Sequence, residues 1–191
     1  MNTKFRYLLP CLVVGLLVGF PAPFSAQAQP GQVCEGDGEF EPPSDTTRVV
    51  DLPQFDISVT IPENYRIMER QDGSVQILHP DTFEWIQCLQ NGGIGSAGYY
   101  QETLQSIAPV ATMTVREQLA SMLYNPEAIA ITPYEQNGVD GYIAYNQGNY
   151  SALFLGTIPG SDQLLRVLVA CDCEIRLESL TELLAEIRPL Q

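Results

Sequence analysis

Between residues 55 and 190 the apolar positions change period several times, and each change marks an element. Phe55, Ile57, Val59 and Ile61 alternate with Asp56, Ser58 and Thr60, the two-residue period of a strand buried on one face. Pro62-Glu63-Asn64 ends that run. Residues 65–70 and 74–78 flank Asp72-Gly73 and predict a hairpin. Trp85 to Leu89 reads as a further strand ending at Asn91-Gly92-Gly93. At Thr114 the period lengthens. Thr114 and Glu117 have the spacing of a capping box, and Val115, Leu119, Met122 and Leu123 follow at helical intervals until Asn125-Pro126. Strand periodicity then returns. Residues 128–134 and 139–145 surround Asn137-Gly138, and residues 150–157 and 164–171 surround Pro159-Gly160. Ser179 and Glu182 repeat the capping-box spacing ahead of Leu180, Leu183, Leu184 and Ile187, a second amphipathic helix.

Residues 164–171 are apolar on both faces. Leu165, Val167 and Val169 share one side, Leu164, Leu168 and Ala170 the other, which places this strand in the middle of a sheet covered on both sides. The short connections make the sheet mainly antiparallel. The expected fold class is therefore α+β: a mainly antiparallel sheet covered by two or more helices in a layered sandwich.

The N-terminus has a different pattern. Lys4 and Arg6 precede an apolar run from Leu8 to Phe20, followed by the small-residue triplet Ala26-Gln27-Ala28. These are the parts of a cleaved signal peptide spanning residues 1–28. The run is shorter than the roughly 20 residues needed to cross a bilayer, so no stable membrane anchor is expected after cleavage. Export to a periplasm, a thylakoid lumen or the extracellular space follows. Residues 29–52 then form an acidic, Pro/Gly-rich arm, and residues 53–191 a single α+β domain. Within the arm, Glu35, Asp37, Glu39 and Glu41 lack the spacing of a calcium loop.

Cleavage at Ala28 leaves seven Arg, no Lys and 23 acidic residues, a net charge of −16. That balance argues against nucleic acid as a partner, since nucleic-acid binding needs a basic footprint. It also leaves Cys34, Cys88, Cys171 and Cys173 in an oxidising compartment, where four thiols make two disulfides. Cys171 and Cys173 are two residues apart on an extended segment, at or beyond the upper limit of disulfide geometry. The favoured connectivities are therefore the two in which Cys34 and Cys88 each take one of that pair.

The order of elements resembles the PsbP-like sandwich. The resemblance rests on residues 55–65 with Pro-Glu-Asn-Tyr at their end, the Val-Asp-Gly-Tyr hairpin in 139–145, and the long strand and Leu-x-x-Leu-Leu-x-x-Ile helix within 164–190. It implies the same sandwich fold and a non-catalytic accessory role outside the cytoplasm. The chain departs from the extrinsic photosystem subunit of that group in having four cysteines and no lysine after residue 28, and that subunit docks partly through basic residues.

Candidate chemistry is sparse. His79, the single histidine, precedes Pro80, and no G-x-S-x-G elbow supplies it with a nucleophile: Ile94 stands where Ser96 would need glycine. Gly93, Gly95 and Gly98 match G-x-G-x-x-G, but a dinucleotide site needs a parallel βαβ unit, and the next strand is expected only after Pro126. A flexible turn is the expectation there. Tyr99, Tyr100, Tyr142, Tyr145, Tyr150 and Trp85 offer ordinary strand aromatics rather than a sugar-stacking set. Asn149-Tyr150-Ser151 is a glycosylation sequon. We expect no catalytic residues, no cofactor and no bound metal. The expected protein is a monomeric, disulfide-stabilised accessory or binding module with a protein partner or small ligand in the cell envelope. Two alternatives are an envelope hydrolase using paired carboxylates and a small-ligand or metal binder at the Cys171/Cys173 face.

Overall fold

The computed structural model describes residues 31–34, 41–95, 100–145, 150–171, 175 and 177–190. The expected signal peptide, Glu35, Asp37 and Glu39 of the arm, Ser96, Gly98, Tyr99, Asn149 of the sequon and Cys173 lie outside these residues.

The alternation that opens the domain forms β2 (Ile57–Pro62), whose Ile57, Val59 and Ile61 are fully buried. Its partners are β1 (Thr47–Leu52) and β10 (Ile187–Pro189), both antiparallel, giving a three-stranded sheet in the order β1-β2-β10. β1 falls within the segment expected to be an arm. It pairs with β2 along its whole length, from Thr47 opposite Pro62 to Leu52 opposite Ile57, and Leu52 is buried.

The large sheet contains β3 (Arg66–Glu69), β4 (Val75–Leu78), β5 (Gln101–Ile107), β6 (Ala130–Gln136), β7 (Val139–Tyr145), β8 (Ser151–Thr157) and β9 (Leu164–Ala170). Its order is β3-β4-β5-β9-β8-β7-β6, with every neighbouring pair antiparallel. The strand expected to be central is β9, fourth of seven. Leu165, Val167 and Val169 join the main core with Phe55, Ile57, Val59 and Ile61, while Leu164 and Leu168 join a second cluster around Leu119. One face of the sheet is thus covered by the small sheet and α3 (Leu177–Ala185), the other by α2 (Val115–Ser121).

Local chemistry sets the boundaries. In α2 the Thr114 hydroxyl accepts from the Glu117 amide at 3.2 Å and the Glu117 carboxylate accepts from the Thr114 amide at 2.8 Å, so the capping box forms as expected. Asn137 and Gly138 both have positive φ, 56° and 82°, the backbone that a two-residue hairpin requires and that this dipeptide tolerates best.

Three expectations fail here. Residues 85–89 are helical, within α1 (Pro80–Gln90), where Pro80 stands in the first turn beside Asp81. A short apolar run has no period of its own to distinguish strand from helix, and the start signal lay upstream in His79-Pro80-Asp81. Ser179 lies inside α3, which is already helical at Leu177, and Ile187 belongs to β10. Finally, the strand after Gly93 comes at β5, well before Pro126. Its sequence, QETLQSI, alternates with a buried carboxyl in a core position and so hides its hydrophobic face.

A groove lined by tyrosines, a histidine and a buried carboxyl

β5 places Glu102 and Leu104 on the inner face of the large sheet. Ile77 and Val169 lie opposite Glu102, and Val75 and Val167 lie opposite Leu104. Glu102 is 8% exposed. Two residues earlier, the Tyr100 hydroxyl donates to Glu102 Oε1 at 2.8 Å. The turn closed by the Tyr65 amide and the Pro62 carbonyl brings Tyr65 to the same region, and the β4–α1 junction brings His79. The Tyr65 hydroxyl and His79 Nε2 are hydrogen-bonded at 2.6 Å, with ring centroids 4.5 Å apart. His79 and Tyr100 make the next aromatic contact, with ring centroids 6.0 Å apart and planes nearly perpendicular. The row Tyr65–His79–Tyr100–Glu102 therefore runs along one wall of a groove of about 450 Å³. Ser179, Glu182, Leu183 and Glu186 of α3 and the following turn line the same groove, with Ser179 hydrogen-bonded to Tyr100.

Burial controls the electrostatics. Removal from water pushes the Glu102 carboxyl up to about 7 even though the Tyr100 hydrogen bond pulls it the other way. Burial, and then the charge on Glu102, raises the Tyr65 phenol to about 12 and the Tyr100 phenol well above its ordinary range. Burial lowers His79, against the opposing pull of Asp81 and Glu41. The imidazole is therefore neutral at pH 7. Nε2 and the Tyr65 hydroxyl share one hydrogen bond, while Nδ1, buried and without a hydrogen-bond partner among the described residues, lies 4.0 Å from Asp81 Oδ2. Among the described residues no serine or cysteine side chain is hydrogen-bonded to His79; its partner is a phenol.

The other singled-out residues are dispersed. The Tyr145 hydroxyl donates to the Ile175 carbonyl at 3.1 Å, Tyr142 packs on the second core cluster, and Tyr150 is exposed. Among the described residues of the aromatic set, Tyr100 alone lines the groove; the sequence reading does not single out Tyr65, Glu102 or Ser179 as site residues. The available signal was Glu102 itself, an acidic residue at an inward-facing position of an alternating segment.

The cysteines correct the expected connectivity. Cys34 is bonded to Cys88, with Cα atoms 5.8 Å apart, and Cys171 is disulfide-bonded as well. Neither favoured arrangement, in which Cys34 and Cys88 each bond to one of Cys171 and Cys173, forms. The cause is the helix missed at residues 85–89. α1 carries Cys88 near its C-terminus, and residues 31–34 run beside 92–94, with the Cys34 amide donating to the Ile94 carbonyl at 2.7 Å and the Ile94 amide to the Gln32 carbonyl at 2.8 Å. Gly93 and Gly95 acquire a purpose from this contact. A Cβ on Gly93 would meet both Sγ atoms of the bridge, and one on Gly95 would lie 2.7 Å from the Cys34 carbonyl oxygen and 3.4 Å from the Trp85 indole nitrogen. The half-cystine Cys171 has no thiolate to offer a metal, and no group of three potential ligands clusters among the described residues.

No family model matches this chain, and no curated protein matches it. The chemistry of the groove thus rests on its own residues. No helix among the described residues is long and apolar enough to cross a membrane.

Proposed function

We propose that this is an extracytoplasmic, disulfide-stabilised binding module, non-catalytic and of the PsbP-like kind, whose ligand occupies the groove between β5 and α3. The observation that carries the reading is the convergence of Tyr65, His79, Tyr100 and Glu102 on one concavity of small-molecule size. Among the described residues its acidic lining is Glu102, Glu182 and Glu186, and no described arginine lines it. Phenol faces beside carboxylates suit a small cation or a hydroxyl-rich molecule, the first through cation–π contact and the second through stacking and hydrogen bonds. The signal-peptide pattern and the Cys34–Cys88 bridge support export. The exported protein is expected to begin at Gln29 when its N-terminus is sequenced. Thermal-shift titration with choline, spermidine and maltotriose tests the groove. A stabilisation by at least one of them, lost in Tyr65→Ala, is expected; none with any of the three refutes the assignment.

One observation favours a second reading. A carboxyl held near 7 in a groove that two further carboxylates also line is the equipment of a glycan hydrolase, with Glu102 as general acid and Glu182 or Glu186 as its partner. Turnover of a 4-methylumbelliferyl glycoside by the wild type and not by Glu102→Gln establishes that reading over simple binding.

A further inference from the structure

The outer face of the large sheet carries a second concavity, of about 550 Å³, between the segment that follows α2 and strands β8 and β9. Its chemistry is opposite to that of the groove. Leu123, Ile129, Leu153 and Leu168 supply apolar walls, and the exposed rings of Tyr124 and Tyr150 stand at its edge. The charged residue lining it is Arg166, in the middle of the central strand, with Gln105 opposite on β5 and Leu155 opposite on β8.

The position of that guanidinium needs an explanation. It is about half buried, and desolvation lowers its pKa. Its one hydrogen-bond partner among the described residues is Gln105 Oε1, at 3.0 Å. The chain has 23 acidic residues, yet among the described residues no carboxylate forms a salt bridge with an arginine, and the one close contact of opposite type, His79 to Asp81 at 4.0 Å, involves a neutral imidazole. A guanidinium presents five donors in a planar fork matched to a carboxylate, and burying one without a counter-charge is costly. An arginine on a central strand, lining an apolar pocket with one hydrogen-bond partner among the described residues, has the character of an anion receptor. We propose that this pocket binds a small amphipathic carboxylate, with the carboxyl group paired to Arg166 and the apolar body lying against Leu123, Ile129, Leu153 and Leu168. One guanidinium among leucines and tyrosines favours such a ligand over inorganic phosphate, which lacks any apolar part. The site lies on the opposite face of the sheet from the groove and is independent of it.

The test is an NMR titration of the ¹⁵N-labelled, oxidised mature protein with octanoate, 1-octanol and inorganic phosphate. Octanoate is expected to shift the backbone amides of residues 122–129, 151–153 and 166–168 and the Arg166 Nε–H. It should bind about tenfold or more tightly than 1-octanol, the fold-change of a charge-assisted hydrogen bond. In Arg166→Gln the octanoate affinity should fall to that of the alcohol, while Arg166→Lys retains part of it. Equal affinity for octanoate and octanol in the wild type, phosphate binding as tight as octanoate, or shifts confined to the Glu102 groove would each overturn the proposal. These comparisons are made on the wild type and so do not depend on any variant folding.

Discussion

Glu102 makes the stability of the fold depend on pH in a direction opposite to that of most acidic residues. Its carboxyl titrates near 7 in the folded protein against an ordinary value of 4.5, because it is buried against Ile77 and Val169 with one phenol as donor. Between those two values the folded chain holds a proton that the unfolded chain has released. Folding stability therefore falls as pH rises through this window, since stability changes with pH as the difference in protons bound by the unfolded and folded states. The contribution is fully present below about 4.5 and lost once the pH exceeds about 7. A gap of that size at 1.36 kcal/mol per pH unit is on the order of 3 kcal/mol.

The assay is urea denaturation of the oxidised mature protein from pH 4.5 to 8, comparing the wild type with Glu102→Gln. Glutamine mimics the protonated acid and keeps an acceptor for the Tyr100 hydroxyl. The two proteins should be of similar stability at pH 4.5, and the variant should gain on the wild type up to roughly 3 kcal/mol by pH 8. His79 acts in the opposite sense. Its folded pKa is lowered, so its contribution is present above the ordinary value of 6.5 and is lost as pH falls through the folded one. Because His79 is the single histidine, repeating the comparison in a His79→Gln background separates the two. A difference between wild type and Glu102→Gln that stays flat across the window, or shrinks as pH rises, refutes the account of a buried, proton-retaining carboxyl.

Three further outcomes follow from the frame around the site. Replacing Cys34 and Cys88 by serine opens a crosslink with a sequence separation of 54; chain-entropy reasoning sets the loss at up to about 4 kcal/mol, read as a lower urea midpoint, and Gly93→Ala should slow or prevent oxidation of the same pair in a free-thiol assay. Thr114→Ala removes the hydroxyl half of the capping box on an exposed helix end and should cost about 0.5–2 kcal/mol without changing the pH slope assigned to Glu102.

What was legible in the chain was whatever repeats. β2, β7, β8 and β9, the Asn137-Gly138 turn and the Thr114 cap all announce themselves through periodicity or a dipeptide with one structural use, and the two-faced apolar pattern of 164–170 located the centre of the sheet. What stayed hidden was whatever depends on contacts distant in sequence. α1 is specified by its first turn at Pro80 and by a packing partner, the arm, that lies some fifty residues upstream. The Cys34–Cys88 pairing could not be derived once that helix was read as a strand, because the bridge requires the turn of α1 to aim Cys88 at the arm. β5 escaped notice for the reason that makes it interesting. A glutamate occupies the inward position where its neighbours on β4 and β9 carry Ile77 and Val169, and a pattern search scores that residue as surface. Arg166 poses the same problem on the opposite face, a charge in the middle of an otherwise apolar strand. Both sites therefore sit where the local pattern disagrees with the fold. A buried ionisable group lowers stability, so Glu102 and Arg166 are the positions on this sheet that packing alone does not account for and on which the two proposed ligand sites rest.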